Sequence, residues 1–462
     1  MLYFYIMPII FVIGYGFIAF EHFNKIDKAA TALVTGGLLW LLLVIGSTDI
    51  IKFMQSHEMQ EFAHCAKDGH NDVLTVITHG AFTEHLGDIA SIIFFLLGAM
   101  TIVEVVDRYQ GFRIITNRIK TTNKIKLLWI ISALAFFISA VLDNLTTTIV
   151  MVTLLQKMLR KEDNRWLFSG MVVIAANSGG AFSPMGDVTT IMLWIGGQIT
   201  AAGVIKGLFI SSLISTLVPL IILSFMMRGS TARPILDNDE TEEFVPLKYR
   251  ITILALGLAA LVSVPILKAT THLPPALGML LGLGVLWMYT DLTLKKRAEH
   301  LDHRKLSVIR ILQRVDVATV LFFLGILLAV AALQVAGHLD VMAIWLNKSI
   351  HNVYGIDIVI GFLSSIVDNV PLVAGGMGMY EVAHPDAVGY AANFVVDGTF
   401  WEFLAYCAGT GGSILIIGSA AGVAAMGLEG IPFFWYLKKI GWLALIGYLA
   451  GAAWYIMATT MF

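Results

Sequence analysis

The sequence has little charge and almost no cysteine. Only 13% of its 462 residues are Asp, Glu, Lys or Arg, against roughly 25% in a soluble domain, and 58% are hydrophobic. The two cysteines give neither a disulfide framework nor a zinc-ligand spacing. A formal net charge of -2 offers no general attraction to nucleic acid. Composition therefore predicts an all-α polytopic protein of the lipid bilayer, without a nucleic-acid partner.

Apolar stretches near the ~20 residues that a helix needs to cross a bilayer recur from residue 3 to residue 459. The first of them lacks the basic region and the small-residue cleavage site of a signal peptide, so we expect a retained span. Several later stretches are too long or too rich in glycine for one simple helix. These interrupted stretches are the ones that contain polar motifs.

Two Asp-Asn dipeptides stand out among these motifs. Asp143 and Asn144 lie in an apolar run, and Asp368 and Asn369 repeat the pair 225 residues later. A charge in hydrocarbon costs a few kcal/mol or more, so an ionisable residue within a membrane segment is a functional-site candidate. A pair that recurs is a stronger candidate than a single acid.

The loops around the two dipeptides differ in charge. Both loops that flank 127–156 are rich in Lys and Arg, which favours the cytoplasmic side for both. This segment is then predicted to be a re-entrant hairpin with its Asp-Asn pair near the tip. The loops that flank 354–383 are acidic and poor in Lys and Arg, which predicts a second hairpin entering from outside. The count gives about ten crossings, two hairpins and external termini.

The two halves of the chain also match elsewhere. Sequences that begin at Asp88 and Asp316 correspond at an offset of 228, and Gly-rich elements at 176–190 and 409–419 correspond at 232. Many secondary transporters build a midplane site from inverted repeats with broken helices. We therefore predict two inverted-topology repeats, each with a re-entrant hairpin and a discontinuous transmembrane helix.

This organisation divides the chain into six predicted parts. In order they are two N-terminal transmembrane helices (1–47), an external polar loop (48–85), the first repeat (86–228, hairpin about 127–156, broken helix about 166–198), a cytoplasmic linker (229–250), two transmembrane helices (251–290) and the second repeat (315–459, hairpin about 354–383, broken helix about 398–427).

The Gly-rich elements are expected to complete the site. Paired glycines and Pro184 should unwind the first of them and expose carbonyl groups, which suit a small hard cation. The second element keeps the glycines but has Ser419 where the first has Asp187. The first half-site is therefore predicted to be the more acidic.

The Asp-Asn dipeptides, the Asn-Ser-Gly-Gly…Gly-Asp-Val-Thr-Thr element (177–190) and the Thr-Gly-Gly-Ser element (410–413) resemble the NhaD-type sodium/proton antiporters of the ion transporter superfamily. The likeness runs from about residue 80 to the end, excluding the linker. The architecture is also similar to the divalent-anion/sodium symporters, whose tips carry Ser-Asn-Thr, whereas both copies here begin with Asp. The resemblance implies a homodimeric exchanger of the bacterial inner membrane that moves sodium or lithium against protons, without a cofactor, and contributes to pH homeostasis.

The candidate residues form three groups. Those that the resemblance implies are Asp143, Asn144, Asn177, Asp187, Thr189, Thr190, Asp368 and Asn369. Further ion- or proton-binding candidates are Thr147, Thr410 and Ser413, with Asp88, Asp316, Ser364 and Ser178 as secondary ones. For several hydroxyl and amide residues, plain bonding to the backbone is an equal alternative. Asp368 and Asn369 are expected to form either a second ion site or a stabilising half.

The chemistry of these residues favours a cation. No Lys or Arg falls near either dipeptide or either Gly-rich element, whereas an anion carrier needs such groups. A buried carboxylate holds either a proton or a metal ion, and that competition suffices for antiport. We expect sodium at Asp143, Asn144 and Asp187. The alternative is a sodium-coupled carboxylate symporter or an arsenite-type anion transporter.

An enzyme is the remote alternative. Intramembrane aspartyl proteases carry one of their two aspartates in a Gly-x-Gly-Asp context, which Gly186 and Asp187 partly match. The first glycine of that pattern is replaced by Pro184, and a protease has no reason to repeat Asp-Asn in a second half. The sequence therefore predicts a transporter and no enzyme activity.

Overall fold

The computed structural model describes residues 2–19, 21, 25–47, 76–116, 119, 121–159, 162–227, 245–296, 306–350 and 352–461. Within these ranges the chain is helical and forms no β-strand. Most of the predicted external loop (48–85) and of the predicted cytoplasmic linker (229–250) lies outside the described residues.

Helices of eight or more residues are numbered in chain order. They are α1 (Leu2–Ala19), α2 (Lys28–Ile45), α3 (Phe82–Arg108), α4 (Lys124–Ser139), α5 (Asn144–Met158), α6 (Glu162–Ala181), α7 (Val188–Ile195), α8 (Ala201–Met226), α9 (Leu247–Thr271), α10 (Pro275–Lys296), α11 (Val317–Val335), α12 (His338–Ile350), α13 (Val353–Ile366), α14 (Asn369–Met379), α15 (Thr399–Gly411), α16 (Ala420–Glu429) and α17 (Trp442–Met461). Shorter helical segments are Val76–Ala81, Arg113–Thr116, Val308–Leu312, Gly389–Phe394, Phe433–Tyr436 and Leu437–Gly441.

Seven helical segments in the described ranges are long and apolar enough to cross a membrane. They are Lys28–Ile45, Ile77–Arg108, Ala201–Met226, Leu247–Thr271, Pro275–Thr293, Val317–Val335 and Phe433–Met461. An eighth span results if α12 and α13, bent by 115°, form one crossing. The number is below the predicted ten because α1 and the helices of the interrupted stretches 166–198 and 398–427 do not by themselves combine the required length and apolar character. The coarse prediction of an all-helical, multi-pass membrane protein is confirmed.

Each of the four stretches that carry polar motifs consists of two helices with a short break. The breaks lie at residues 140–143, 182–187, 367–368 and 412–419. Three of the downstream helices begin with a polar N-cap, because the side chains of Asp143, Asp187 and Ser419 accept a hydrogen bond from a backbone N–H of the helix that follows. The direction in which each hairpin enters the membrane stays a prediction.

Contacts divide the chain into two compact units. The first contains Met1–Ile93, Asp316–Ile356 and Val370–Val395, and the second contains Phe94–Val315, Asp357–Asn369 and Val396–Phe462.

The first unit is organised around the close pairing of α2 with α11. The indole nitrogen of Trp40 donates to the carbonyl of Leu328 at 2.9 Å. Gly36 faces Gly325, and a Cβ atom added to Gly36 would lie 2.6 Å from the carbonyl oxygen of Gly325. Small residues permit such backbone approach between membrane helices, where van der Waals packing drives association.

The second unit is a helix bundle that holds the central residues of all four breaks. In it α4 and α5 pack on α6, α5 and α6 pack on α16, and α8 packs on α17. Four aromatic rings join α15 to α17 in a nearly parallel stack, with interplanar angles of 5–7° between neighbours. The stack runs Tyr455, Phe403, Tyr406, Tyr448.

The pairing of α2 with α11 can be tested at two adjacent glycines. Replacing Gly36→Leu should force the two helices apart, and overpacking of this kind costs about 1–3 kcal/mol of the free energy of unfolding. Gly37→Leu is the matched control, because a Cβ at Gly37 has nothing within 4 Å. The midpoint of thermal unfolding in detergent should fall for the first variant only. Equal midpoints for the two variants would contradict this packing.

Candidate ion-binding site

Asp187 is the buried carboxylate at the centre of the second unit. It lies at the end of the 182–187 break, where it caps α7, and its side chain is 1% exposed. One carboxylate oxygen, Oδ1, accepts the backbone N–H of Thr189 at 3.2 Å. The local sequence explains this geometry, since an aspartate directly before a helix saturates a free N–H of the first turn.

Both Asp-Asn dipeptides contribute their amide to this carboxylate. The side-chain nitrogen of Asn144 donates to Asp187 Oδ2 at 3.0 Å. The side-chain nitrogen of Asn369 lies 3.3 Å from Oδ1 and 3.2 Å from Oδ2. Both donors are neutral amide groups. The break after α4 and the break after α13 therefore meet at one acid that belongs to a third break.

Asn177 extends the network toward the fourth break. Its side-chain oxygen accepts a second bond from the Asn144 amide at 3.0 Å. Its nitrogen donates to the hydroxyls of Ser413 and Ser419, both at 2.9 Å. The sequence predicted Asn177 and Ser413 as site residues but treated Ser419 only as the counterpart of Asp187. The offset of 232 that aligns those two residues was the signal for including it.

Asp143, which is expected to bind sodium together with Asn144 and Asp187, caps the helix that follows it. Its carboxylate is half-buried and accepts the backbone N–H of Thr146 at 2.7 Å and the hydroxyl of Thr146 at 2.8 Å. These bonds cap α5. Asn144, the next residue, is the one that bonds to Asp187. Asp368 is likewise half-buried and precedes the residue that bonds to Asp187.

Hydroxyl groups surround the network in two different states. Thr147 lies three residues after Asn144, which places both on one face of α5. Among the described residues the buried hydroxyls of Thr147 and Thr148 have no hydrogen-bond partner. The hydroxyl of Thr190 donates to the Asp187 carbonyl at 2.9 Å, and that of Thr410 donates to the Tyr406 carbonyl at 2.6 Å. The hydroxyls of Thr147 and Thr148 can therefore bind a further ligand, whereas those of Thr190 and Thr410 already donate to backbone carbonyls.

The secondary candidates lie apart from these bonds. Asp88 and Asp316 are exposed and belong to the first unit, and Asp316 caps α11 through Thr319, at 3.1 Å to the backbone nitrogen and 2.6 Å to the hydroxyl. Ser178 donates to the hydroxyl of Ser215 at 3.2 Å. Ser364 donates to a main-chain carbonyl, described next.

Two matching contacts hold the hairpins against the broken helices. Ser139 donates to the carbonyl of Ala176 at 2.6 Å, and Ser364 donates to the carbonyl of Ala408 at 2.6 Å. The two donors are 225 residues apart and the two acceptors are 232 apart, which are the offsets of the motifs. A Cβ on Gly179 would overlap the carbonyl of Phe136, and a Cβ on Gly411 would overlap that of Gly361. These glycines permit backbone-to-backbone approach beside the site.

Known proteins resemble this chain over most of its length. A family model described as "Citrate transporter" matches residues 15–396. The protein named sodium/proton antiporter 1 of Arabidopsis thaliana is 43% identical over 97% of this chain and 72% of its own length. The Na(+)/H(+) antiporter NhaD of Alkalimonas amylolytica is 30% identical over 96% of this chain and 88% of its own length.

The chain belongs to the NhaD-type sodium/proton antiporter family. The resemblance inferred from the Asp-Asn and Gly-rich motifs is thereby confirmed, and with it the prediction of a membrane transporter rather than an enzyme. A second Arabidopsis thaliana relative, sodium/proton antiporter 2, is 40% identical over 97% of this NhaD-type chain and 98% of its own length.

The hydrogen-bond network of this NhaD-type protein predicts that substitutions at two neighbouring residues, Asn177 and Ser178, reduce its stability by different amounts. Asn177→Leu should remove three buried hydrogen bonds, to Asn144, Ser413 and Ser419, each worth about 0.5–1.5 kcal/mol. Ser178→Ala is the control, because it removes only the hydroxyl bond to Ser215, worth about 1 kcal/mol. Thermal unfolding in detergent should show a clearly larger loss for Asn177→Leu. A smaller loss there than in Ser178→Ala would contradict the network.

Proposed function

We propose that this protein is a secondary active transporter that exchanges sodium or lithium for protons, and that the two compete for the carboxylate of Asp187. The observation that carries the proposal is the burial of this acid among neutral amide donors. A buried acid bonded to amide groups is stabilised in its charged form, yet still gains from a bound cation or proton. Relatives across nearly the whole chain are named sodium/proton antiporters, which supports the same exchange here.

The side-chain amides provide a mechanism for the competition. In the structure Asn144 and Asn369 turn their nitrogens toward the Asp187 carboxylate and fill its acceptor sites. An amide also carries an oxygen acceptor, so the same side chain can turn that oxygen to a sodium ion or to a protonated carboxyl. A carboxylate has about four lone-pair positions, and cation and proton claim the same ones. Binding of one therefore displaces the other.

Further ligands are proposed close to this carboxylate. Sodium would bind at Asp143, Asn144 and Asp187, with the unpartnered hydroxyl of Thr147 as an additional oxygen ligand. The Asp143 carboxylate accepts two bonds from Thr146 and retains lone pairs for an ion. Thr189, Thr190, Thr410 and Ser413 would shape the backbone and the amide positions around the ion.

The matching contacts of the hairpins support two inverted-topology repeats, each with a re-entrant hairpin and a discontinuous helix. Hydrogen bonds that recur at the motif offsets of 225 and 232 are expected if each half builds the same substructure. Transport would then expose Asp187 alternately to the two sides. A homodimer in a bacterial inner membrane completes the proposal, and both of these features depend on the family resemblance.

A carboxylate carrier is the second candidate, because the matching family model is described as a citrate transporter. Arg and Lys form the strongest hydrogen bonds to a carboxylate substrate. The side chains that bond to Asp187 and Asn177 are amides and hydroxyls. This donor set favours the cation.

The decisive variant is Asp187→Asn, which preserves shape and removes the charge. Exchange should be abolished, because no carboxylate remains for sodium and the proton to share. The measurement is proton movement in proteoliposomes on addition of sodium, lithium, potassium or citrate. Asp386→Asn, at an acid whose side chain is 91% exposed, is the matched control and should retain the wild-type rate.

Two results would oppose the proposal. Near-normal sodium-dependent proton movement in Asp187→Asn would remove this acid from the exchange. Uptake of labelled citrate that requires sodium, with no proton movement on sodium addition alone, would favour the carboxylate carrier.

A role for the Asp143 carboxylate in ion binding can be separated from helix capping. Thr146→Val removes the hydroxyl that donates to Asp143, and Thr319→Val removes the equivalent hydroxyl at Asp316. Loss of one hydrogen bond is worth about 1 kcal/mol, or roughly five-fold in affinity. Thr146→Val should change the apparent sodium affinity of exchange by about that factor, and Thr319→Val should not. If Thr146→Val and Thr319→Val have the same apparent sodium affinity, Asp143 caps the helix and does not take part in ion binding.

A further inference from the structure

A second buried acid lies outside the network. Asp357 is in the first half of α13, and its side chain is 0% exposed. Among the described residues neither of its carboxylate oxygens has a hydrogen-bond partner. Asp187, by contrast, accepts several hydrogen bonds that stabilise its charged form.

Among the described residues, no positively charged side chain is recorded as interacting with Asp357. Its electrostatic neighbours are the thiol of Cys407 on α15 and the phenol of Tyr448 on α17. One turn further along α13, a Cβ on Gly361 would overlap the Tyr448 hydroxyl and lie 2.8 Å from the Cys407 carbonyl oxygen. The Tyr448 hydroxyl itself donates to the carbonyl of Ile358 at 3.2 Å.

An ionised carboxylate in such surroundings is unfavourable. Moving an unpaired charge out of water costs several kcal/mol even after relaxation, and no bonded donor offsets that cost here. A metal cation would need a shell of oxygen ligands, but the titratable side chains that interact with Asp357 in the described part of the chain are a thiol and a phenol. The proton is the only ion that neutralises the acid without further ligands.

The corresponding position of the first half shows that the fold does not require an acid. At the offset of 225, Asp357 corresponds to Ser132 of α4, which is also buried with an unpartnered oxygen. Ser364, two turns further along α13, and Asp368 in the break that follows correspond to Ser139 and Asp143. A hydroxyl thus fills the site in one half, and the carboxyl is an addition specific to the other.

The position of Asp357 along α13 suits a group that exchanges protons. With a rise of about 1.5 Å per residue, it lies roughly 6 Å from the first residue of the helix and roughly 16 Å from Asp368 at the break. It therefore lies closer to the start of α13 than to the hairpin break.

We propose that Asp357 is a second proton-carrying carboxyl of this transporter, which holds a proton in the conformation described here and releases it when transport admits water. The proposal rests on the proposed sodium/proton exchange, to which it adds a second proton site remote from the ion site. The acid would then take part in setting the number of protons moved for each sodium ion.

The test compares wild-type protein with Asp357→Asn, which mimics the protonated acid permanently. In proteoliposomes the variant should retain sodium/sodium exchange, which shows that it is folded, and should lose about one proton per transport cycle. The loss is measured as a shift of the membrane potential at which sodium flux reverses. Ser132→Ala is the matched control and should leave the reversal potential unchanged.

Infrared spectroscopy of the full-length protein gives a second readout that does not depend on transport. The carbonyl band of a protonated carboxylic acid should be present in wild-type protein at neutral pH and reduced in Asp357→Asn. If sodium moves no protons in wild-type protein, the proposed exchange fails, while this band still reports whether Asp357 carries a proton.

Three outcomes would overturn the proposal. An unchanged reversal potential and pH profile in Asp357→Asn would show that the proton never leaves. An unchanged carbonyl band would show that the acid is not protonated. Failure of both Asp357→Asn and Asp357→Ser to fold would assign the acid a structural role that a hydroxyl cannot fill.

Discussion

The second unit depends on how the charge of Asp187 is compensated within a bundle of apolar helices. The carboxylate is buried, and neutral dipoles stabilise it: the backbone N–H of Thr189 and the amides of Asn144 and Asn369. Those amides come from segments that are far apart in sequence. Each amide belongs to the first residue of a helix, and both helices must begin beside the acid for the side chains to reach it. The helix breaks and the glycines beside them follow from this requirement.

Amide groups are well suited to this task because they present a donor and an acceptor on one rotatable plane. A guanidinium or ammonium group would pair with Asp187 permanently and would oppose the entry of a metal cation. Two amides stabilise the charge of the carboxylate when no ion is bound. When sodium or a proton binds, the same amides can turn their oxygens toward it. The asymmetry between the halves has the same logic. A second acid in place of Ser419 would add a charge to one desolvated network, whereas the serine hydroxyl accepts from Asn177 at no electrostatic cost.

Much of this was predictable from the sequence, because helix breaks are local. Gly-rich elements and Asp-Asn dipeptides in apolar runs indicated the four interruptions, and the acidic character of the first half-site followed from Asp187. The meeting of Asn369 with Asp187 was not predictable, since convergence of the two halves is a tertiary property. The role of Asp143 was partly visible, because a threonine three residues after an aspartate is a helix-capping pattern. Asp357 escaped notice because a lone acid in one half lacks the repetition that marked the others.

The stacked rings of α15 and α17 have a mechanical consequence. Each pair of stacked aromatic rings contributes about 0.5–1.5 kcal/mol beyond the burial of its surface, and three successive pairs lie between Tyr455 and Tyr448. Two of these pairs, Phe403 with Tyr455 and Tyr406 with Tyr448, join α15 to α17. Sliding one helix along the other would separate both at once, together with the bond from the Tyr406 hydroxyl to the Tyr448 carbonyl at 2.8 Å. The two helices, α15 and α17, should therefore move as one rigid body during the transport cycle. Whatever shear the transport cycle needs has to occur at other helix contacts.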